Sequence, residues 1–148
     1  MVDLHYRRAR FATRLPDDRL FTSSHFWLLE CEPGTWRVGF TKFAARIFGD
    51  VVDVAFDASP GARVALGDAI GSFEGFKARS DLYAVVAGTF TGGNPELDRD
   101  LDVIDRDRYG QGWLYEVRGT PDPDACDAAG YAAILDAAID RRRRRHST

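Results

Sequence analysis

Lysine is almost missing from this 148-residue chain: of its 20 basic residues, only Lys42 and Lys77 carry an amine. Arginine supplies the positive charge everywhere else, which narrows the search for a required amine to these two residues. A guanidinium keeps its proton and is a poor nucleophile, whereas an ammonium can lose one and be acylated. Cysteine is scarce too. Cys31 and Cys126 lie too far apart in sequence to suggest a metal framework and are expected to be reduced thiols of a cytoplasmic protein. Cys31, placed in a strand, is expected in the core rather than as a redox nucleophile. His5, His25 and His146 are too scattered to suggest a metal site, and His25 is expected to be packed or hydrogen-bonded. No apolar run approaches the roughly 20 residues of a membrane span. The N-terminus lacks an apolar segment and carries Asp3, which argues against a secretory signal. Its four arginines (Arg7, Arg8, Arg10 and Arg14) would also suit a transit peptide.

What is present is a folded composition, 45% hydrophobic and 12% aromatic, long enough for one domain with a real core. The net charge of −3 is unevenly placed. Without Arg141–Arg145 the chain has 15 basic residues against 23 acidic ones, a net of −8. An acidic body disfavours binding to nucleic acid. The arginine run reads as a solvated helix end that complements the helix dipole.

Residues 1–20 show no clear period and read as an N-terminal extension, with 21–148 as the domain proper. Phe26–Cys31 and Trp36–Phe40 alternate as a β-hairpin about the Glu32–Thr35 turn. Thr41 is an N-cap for a short helix over Lys42–Phe48, and Gly49 is placed to end it. Val51–Phe56, Ala69–Phe73 and Leu82–Val86 read as strands. Gly88–Phe90 begins another, broken by Gly92-Gly93, and Trp113–Val117 is the last. Residues 94–110 read as a short helix plus loop. Asp122-Pro123 signals a helix start, and Tyr131, Ile134, Leu135, Ala138 and Ile139 follow helical spacing, so a C-terminal helix is expected to pack on the sheet. The result is a mainly β fold with helical additions.

Chemistry concentrates around Lys77. It lies between two apolar strand segments, near Gly75, where a tight turn would display the amine, with Glu74 and Asp81 on either side. Taken alone, that position suits an ordinary exposed hairpin lysine equally well. The surrounding residues, however, are Glu74-Gly75-Phe76-Lys77-Ala78-Arg79-Ser80-Asp81-Leu82-Tyr83. This stretch resembles the lipoyl-attachment region of the glycine cleavage H proteins, whose pattern is Glu-Ser-Val-Lys-Ala-x-Ser-Asp-Leu-Tyr. Four further segments resemble that family in the same order. They are His25-Phe26-Trp27, then Val38-Gly39-Phe40-Thr41 with Gly49-Asp50-Val51-Val52, then Asp107-Arg108-Tyr109-Gly110-Gln111-Gly112-Trp113-Leu114.

The resemblance implies a barrel-sandwich hybrid of two antiparallel sheets, of the lipoyl/biotinyl type, with a C-terminal helix. It implies lipoate as a covalent cofactor, joined as an amide to Lys77, and no catalytic residues of the chain's own. Glu74, three residues before the lysine, and Gly88, eleven after it, match positions that help the modifying enzyme. The partners implied are a pyridoxal-phosphate glycine decarboxylase, an aminomethyltransferase, a dihydrolipoyl dehydrogenase, and a lipoate ligase or lipoyltransferase. The carrier would be a cytoplasmic monomer that binds neither nucleic acid nor membrane. Biotinyl domains usually flank their lysine with methionines; Phe76 and Ala78 stand there instead. The chain also departs from the family pattern. Gly75-Phe76 replaces Ser-Val, Phe26 replaces the usual acid, and Arg108 replaces proline. The changed surface near the lysine leaves two alternatives: a divergent lipoate carrier for another oxidative pathway, such as heterodisulfide-reductase-like sulfur oxidation, or a non-lipoylated adaptor.

Overall fold

The computed structural model describes residues 3–146; Met1, Val2, Ser147 and Thr148 lie outside it. Eleven strands arrange in three antiparallel sheets among the described residues. The largest contains β3 (Leu20–Phe21), β4 (Phe26–Glu32), β5 (Thr35–Phe40), β7 (Arg63–Val64), β10 (Val86–Gly93) and β11 (Tyr115–Pro121), in the order β3-β4-β5-β11-β10-β7. The second holds β6 (Val51–Phe56), β8 (Ala69–Gly75) and β9 (Arg79–Tyr83), in the order β6-β8-β9. These two sheets share one core, so the fold is a mainly β sandwich with helical additions. Phe40 of the large sheet stacks on Phe26 at 5.4 Å between ring centroids and meets Phe73 of the smaller sheet at 4.7 Å.

The third sheet lies within residues 1–20, where the sequence shows no clear period. β1 (Leu4–Arg8) and β2 (Phe11–Leu15) pair as a hairpin with a two-residue turn, Ala9-Arg10. Ala9 adopts φ +53°, a conformation that turn sequences normally assign to glycine or asparagine, so composition gave no signal. Tyr6, Phe11 and Leu15 face inward, whereas His5, Arg7 and Arg14 are exposed.

The helix at Lys42–Phe48 (α1) forms as its sequence dictates. Thr41 Oγ1 accepts from the Ala44 amide, and Gly49 ends the helix at φ +78°, its own amide donating to Ala45 O. Residues 94–110 hold a 3₁₀ turn, Pro95–Asp98, and a short helix, α2 (Val103–Arg106). The C-terminal helix, α3, spans Ala128–His146. It starts later than Asp122-Pro123 suggested. Asp122 instead makes a local turn by accepting from the Asp124 amide, and Asp127 Oδ1 takes the Gly130 amide at the true start. Leu82–Val86 is also two elements rather than one strand. The chain turns a corner at Ala84-Val85, where the buried Tyr115 hydroxyl accepts from the Val85 amide and donates to Tyr83 O.

A second apolar cluster joins α3 to the hairpin and to the back of β4. It includes Tyr6, Phe11, Leu15, Phe21, Trp27, Phe43, Tyr131 and Leu135. This explains why Phe26, Trp27 and Leu28 are all buried: β4 has a core on each face. Cys31, expected in the core, is exposed, because β4 has by then left both clusters. Both cysteines are free thiols. Partial desolvation of the sulfur, followed by the nearby Glu116 carboxylate, raises the Cys31 pKa, the opposite of what a reactive thiolate requires.

His25 packs against Phe43 and Tyr131 of this second cluster, with φ +72°. Its Nδ1 lies 2.7 Å from Tyr131 Oη, which is itself 2.8 Å from Thr41 Oγ1. Burial lowers the imidazole pKa from 6.5 to about 4. The folded protein therefore holds His25 neutral where the unfolded chain binds a proton. Its contribution is intact above pH 6.5 and is lost as pH falls toward 4, by about 3 kcal/mol in all. Urea unfolding at pH 7 and pH 4.5 should show this loss in the wild type. His25→Asn, which tolerates positive φ, should show a smaller one. Equal losses in the two proteins would remove His25 as the cause.

Candidate functional site

Lys77 occupies the tip of the β8–β9 hairpin. Gly75 N donates to Ala78 O at 2.8 Å and closes a turn with Phe76 and Lys77 at its apex. Neither apex residue has positive φ among the described residues, so the turn does not depend on glycine or asparagine at the tip. It depends on support from behind. Lys77 N donates to Phe48 O at 2.8 Å, Phe76 N donates to Asp50 O at 3.1 Å, and Lys77 Nζ donates to Arg46 O at 3.0 Å. The end of α1 and the start of β6 thus hold the lysine backbone in place, while the side chain is exposed and makes one surface hydrogen bond among the described residues.

Gly75 makes that contact possible. A Cβ there would lie 2.1 Å from Phe48 O, so the family-like serine would push the turn and α1 apart. Phe76 turns outward, 79% exposed. It borders a groove of about 690 Å³ with Val52, Leu101, Asp50 and Asp102. Glu74 and Asp81 are exposed beside the turn. The site is thus an accessible amine on a braced tip, bordered by one aromatic ring and several carboxylates. The chemistry of an amide-linked lipoyl group requires an exposed primary amine with open space around it, and Lys77 fits that requirement.

The other lysine differs. Lys42 is exposed on the first turn of α1, and its Nζ donates to Ala12 O of β2 at 3.0 Å. It stands on no projecting hairpin tip. Gly88 is far from an exposed recognition feature: it is buried in β10, pairs with Gly119 and Val64, and has φ +152°. A Cβ would lie 2.1 Å from Arg118 O, so the sheet itself requires glycine there. Sequence reasoning missed the part played by Phe48 and Asp50, whose carbonyls brace the turn, because backbone acceptors leave no residue-type signal.

Comparison with known proteins points the same way. A family model described as "Glycine cleavage H-protein" matches residues 19–128. A glycine cleavage system H protein of Mycolicibacterium smegmatis is 40% identical, covering 83% of this chain and 98% of that protein. One from Beutenbergia cavernae is 38% identical over 81% of this chain and 95% of its own. The crystal structure of a glycine cleavage system H protein from Mycobacterium marinum superposes with a TM-score of 0.71 at 34% identity, covering 80% of this chain and 97% of that one. With the match spanning most of the chain and the lysine turn in place, this protein belongs to the glycine cleavage H-protein family.

Proposed function

We propose that this chain is a lipoyl carrier of glycine cleavage, with the cofactor attached through an amide to Lys77 Nζ. The observation that supports this most strongly is the exposed amine on a turn whose backbone is braced by Phe48 and Asp50. For attachment, Nζ leaves Arg46 O, loses a proton and displaces the activating group from the lipoyl carboxyl carbon. The lipoyl group supplies a dithiolane that accepts electrons and an aminomethyl unit. The chain's own side chains make and break no bond in that chemistry. They present the arm to a glycine decarboxylase, an aminomethyltransferase and a dihydrolipoyl dehydrogenase in turn, and no helix among the described residues is long and apolar enough to cross a membrane.

Glu74 is a recognition residue for the modifying enzyme in this reading. It is exposed, so Glu74→Gln should slow lipoylation while changing stability by no more than about 0.5 kcal/mol. A modification time course beside a urea melt checks both. Gly88 acts toward that enzyme only through the shape of the sheet.

One observation favours the second reading, a carrier for another oxidative pathway: Phe76 exposes a large ring beside the lysine where the family has a small aliphatic residue. The deciding experiment is glycine-dependent turnover with purified glycine cleavage enzymes, comparing lipoylated wild type with Phe76→Val. Full wild-type turnover supports glycine cleavage. Poor turnover that improves several-fold in the valine variant shows that the ring is adapted to a different partner. In either case stability should hardly change, because the ring is exposed.

A further inference from the structure

The N-terminal hairpin and most of α3 lie outside the segment that matches the family, residues 19–128. Charge divides along the same line. Residues 1–18 and 129–148 contain nine arginines and five aspartates, whereas residues 19–128 contain 11 basic and 18 acidic residues. The hairpin and α3 are fastened to each other. Tyr6 Oη donates to Asp136 at 2.7 Å, and Arg8 donates through Nε and one terminal nitrogen to both oxygens of Asp140, at 3.0 and 2.9 Å. Those contacts use the inner face of the hairpin. Strand pairing places His5 opposite Arg14 and Arg7 opposite Ala12, so these four residues share the outer face.

Residues of that outer face, together with Tyr6 and Thr13 from the inner one, line one wall of an open cleft of about 1190 Å³. Arg19, Lys42, Arg106 and Arg108 supply further positive charge, and Tyr109 lies between the walls. Several of these cations already have partners: Arg19 with Asp18, Arg106 with Asp100, and Arg108 with Asp105. Arg7 and Arg14 are exposed and make no ion pair among the described residues.

We propose that this cleft is a second docking surface, which holds an extended acidic segment of a protein partner between the hairpin and the Asp105–Gly110 loop. Asp3, Asp105 and Asp107 interrupt the positive lining. Spaced carboxylates on a peptide fit that alternation, whereas duplex DNA, with a charge about every 1.7 Å, meets the aspartates as well as the arginines. A lipid surface fits less well, because the large exposed apolar residues, Val52, Leu66, Phe76 and Tyr83, are not among the cleft lining. Such an anchor would keep a partner near the carrier while the lysine turn engages the partner's own site. It depends on charge and geometry alone, and therefore stands whether or not Lys77 is lipoylated.

The test uses the full chain and a labelled peptide of alternating glutamate and serine, followed by fluorescence anisotropy at low salt and at 0.15 M. Duplex DNA and vesicles of phosphatidylserine with phosphatidylcholine are run beside it. The peptide should bind more tightly than either, and the double variant Arg7→Glu/Arg14→Glu should weaken it at least tenfold with an unchanged circular dichroism spectrum. If that variant does not fold, Arg7→Gln/Arg14→Gln takes its place, with a smaller loss in the same direction. Arg143→Glu/Arg144→Glu, on the terminal run, should have much less effect. The proposal is overturned if the peptide does not bind, if DNA or vesicles bind more tightly, or if the terminal variant causes the larger loss. Sedimentation showing that the chain fills the cleft with a second copy would overturn it as well.

Discussion

Lys77→Arg should abolish lipoylation completely while leaving the fold intact. The substitution keeps the positive charge and most of the side-chain length, and the Lys77 side chain is exposed, so stability should change by no more than about 0.5 kcal/mol. What it removes is an amine able to lose a proton and attack an activated carboxyl; a guanidinium does neither at working pH. Lys42→Arg is the matched control, because Lys42 is the only other side-chain amine in the chain. It should leave modification at the wild-type level. Mass spectrometry of the three proteins after co-expression with a lipoate ligase reads the outcome, and modification that survives in Lys77→Arg but is lost in Lys42→Arg would move the site.

Gly75→Ser should lower stability by about 2–3 kcal/mol, even though serine is the residue the family pattern has there. The added Cβ would fall 2.1 Å from Phe48 O and 2.8 Å from Phe48 C, both backbone atoms at the end of α1. Neither can swing aside as a flexible side-chain tip could. The turn must separate from the helix, which breaks or lengthens the Lys77 N to Phe48 O hydrogen bond. Two measurements check this. The urea midpoint should fall, and hydrogen exchange at the Lys77 amide should become faster than in the wild type. An unchanged midpoint together with unchanged exchange would mean that the turn does not rely on this close approach.

The parts of the molecule that were legible in the sequence are those whose signals are local. Thr41 and Gly49 bracket α1 because an N-cap oxygen and a left-handed C-cap are properties of single residues. The β4–β5 hairpin and β6 follow from short apolar runs set off by turn residues. The hairpin at Leu4–Leu15 was hidden by its Ala9-Arg10 turn, and by strands whose buried positions matter only once α3 covers them. The start of α3 was misplaced because Asp122-Pro123 imitates a cap, while the working carboxylate belongs to Asp127. Lys77 stood out through the rarity of lysine and through the residues around it. For Phe76 the sequence left two directions open, exposed beside the lysine or turned inward into the sheet core, and the structure has it exposed. The basic cleft was hidden: Arg7 and Arg14 share a face only after β1 and β2 pair.

The most direct test of the central claim is a site-mapped mass measurement on the wild-type chain, made after incubation with lipoate, ATP and a lipoate ligase. The account predicts one lipoyl group per chain, on the peptide containing Lys77, with the peptide containing Lys42 unmodified. A chain that stays unmodified under conditions that fully lipoylate the Mycolicibacterium smegmatis relative, or one that carries the group on Lys42, would contradict it.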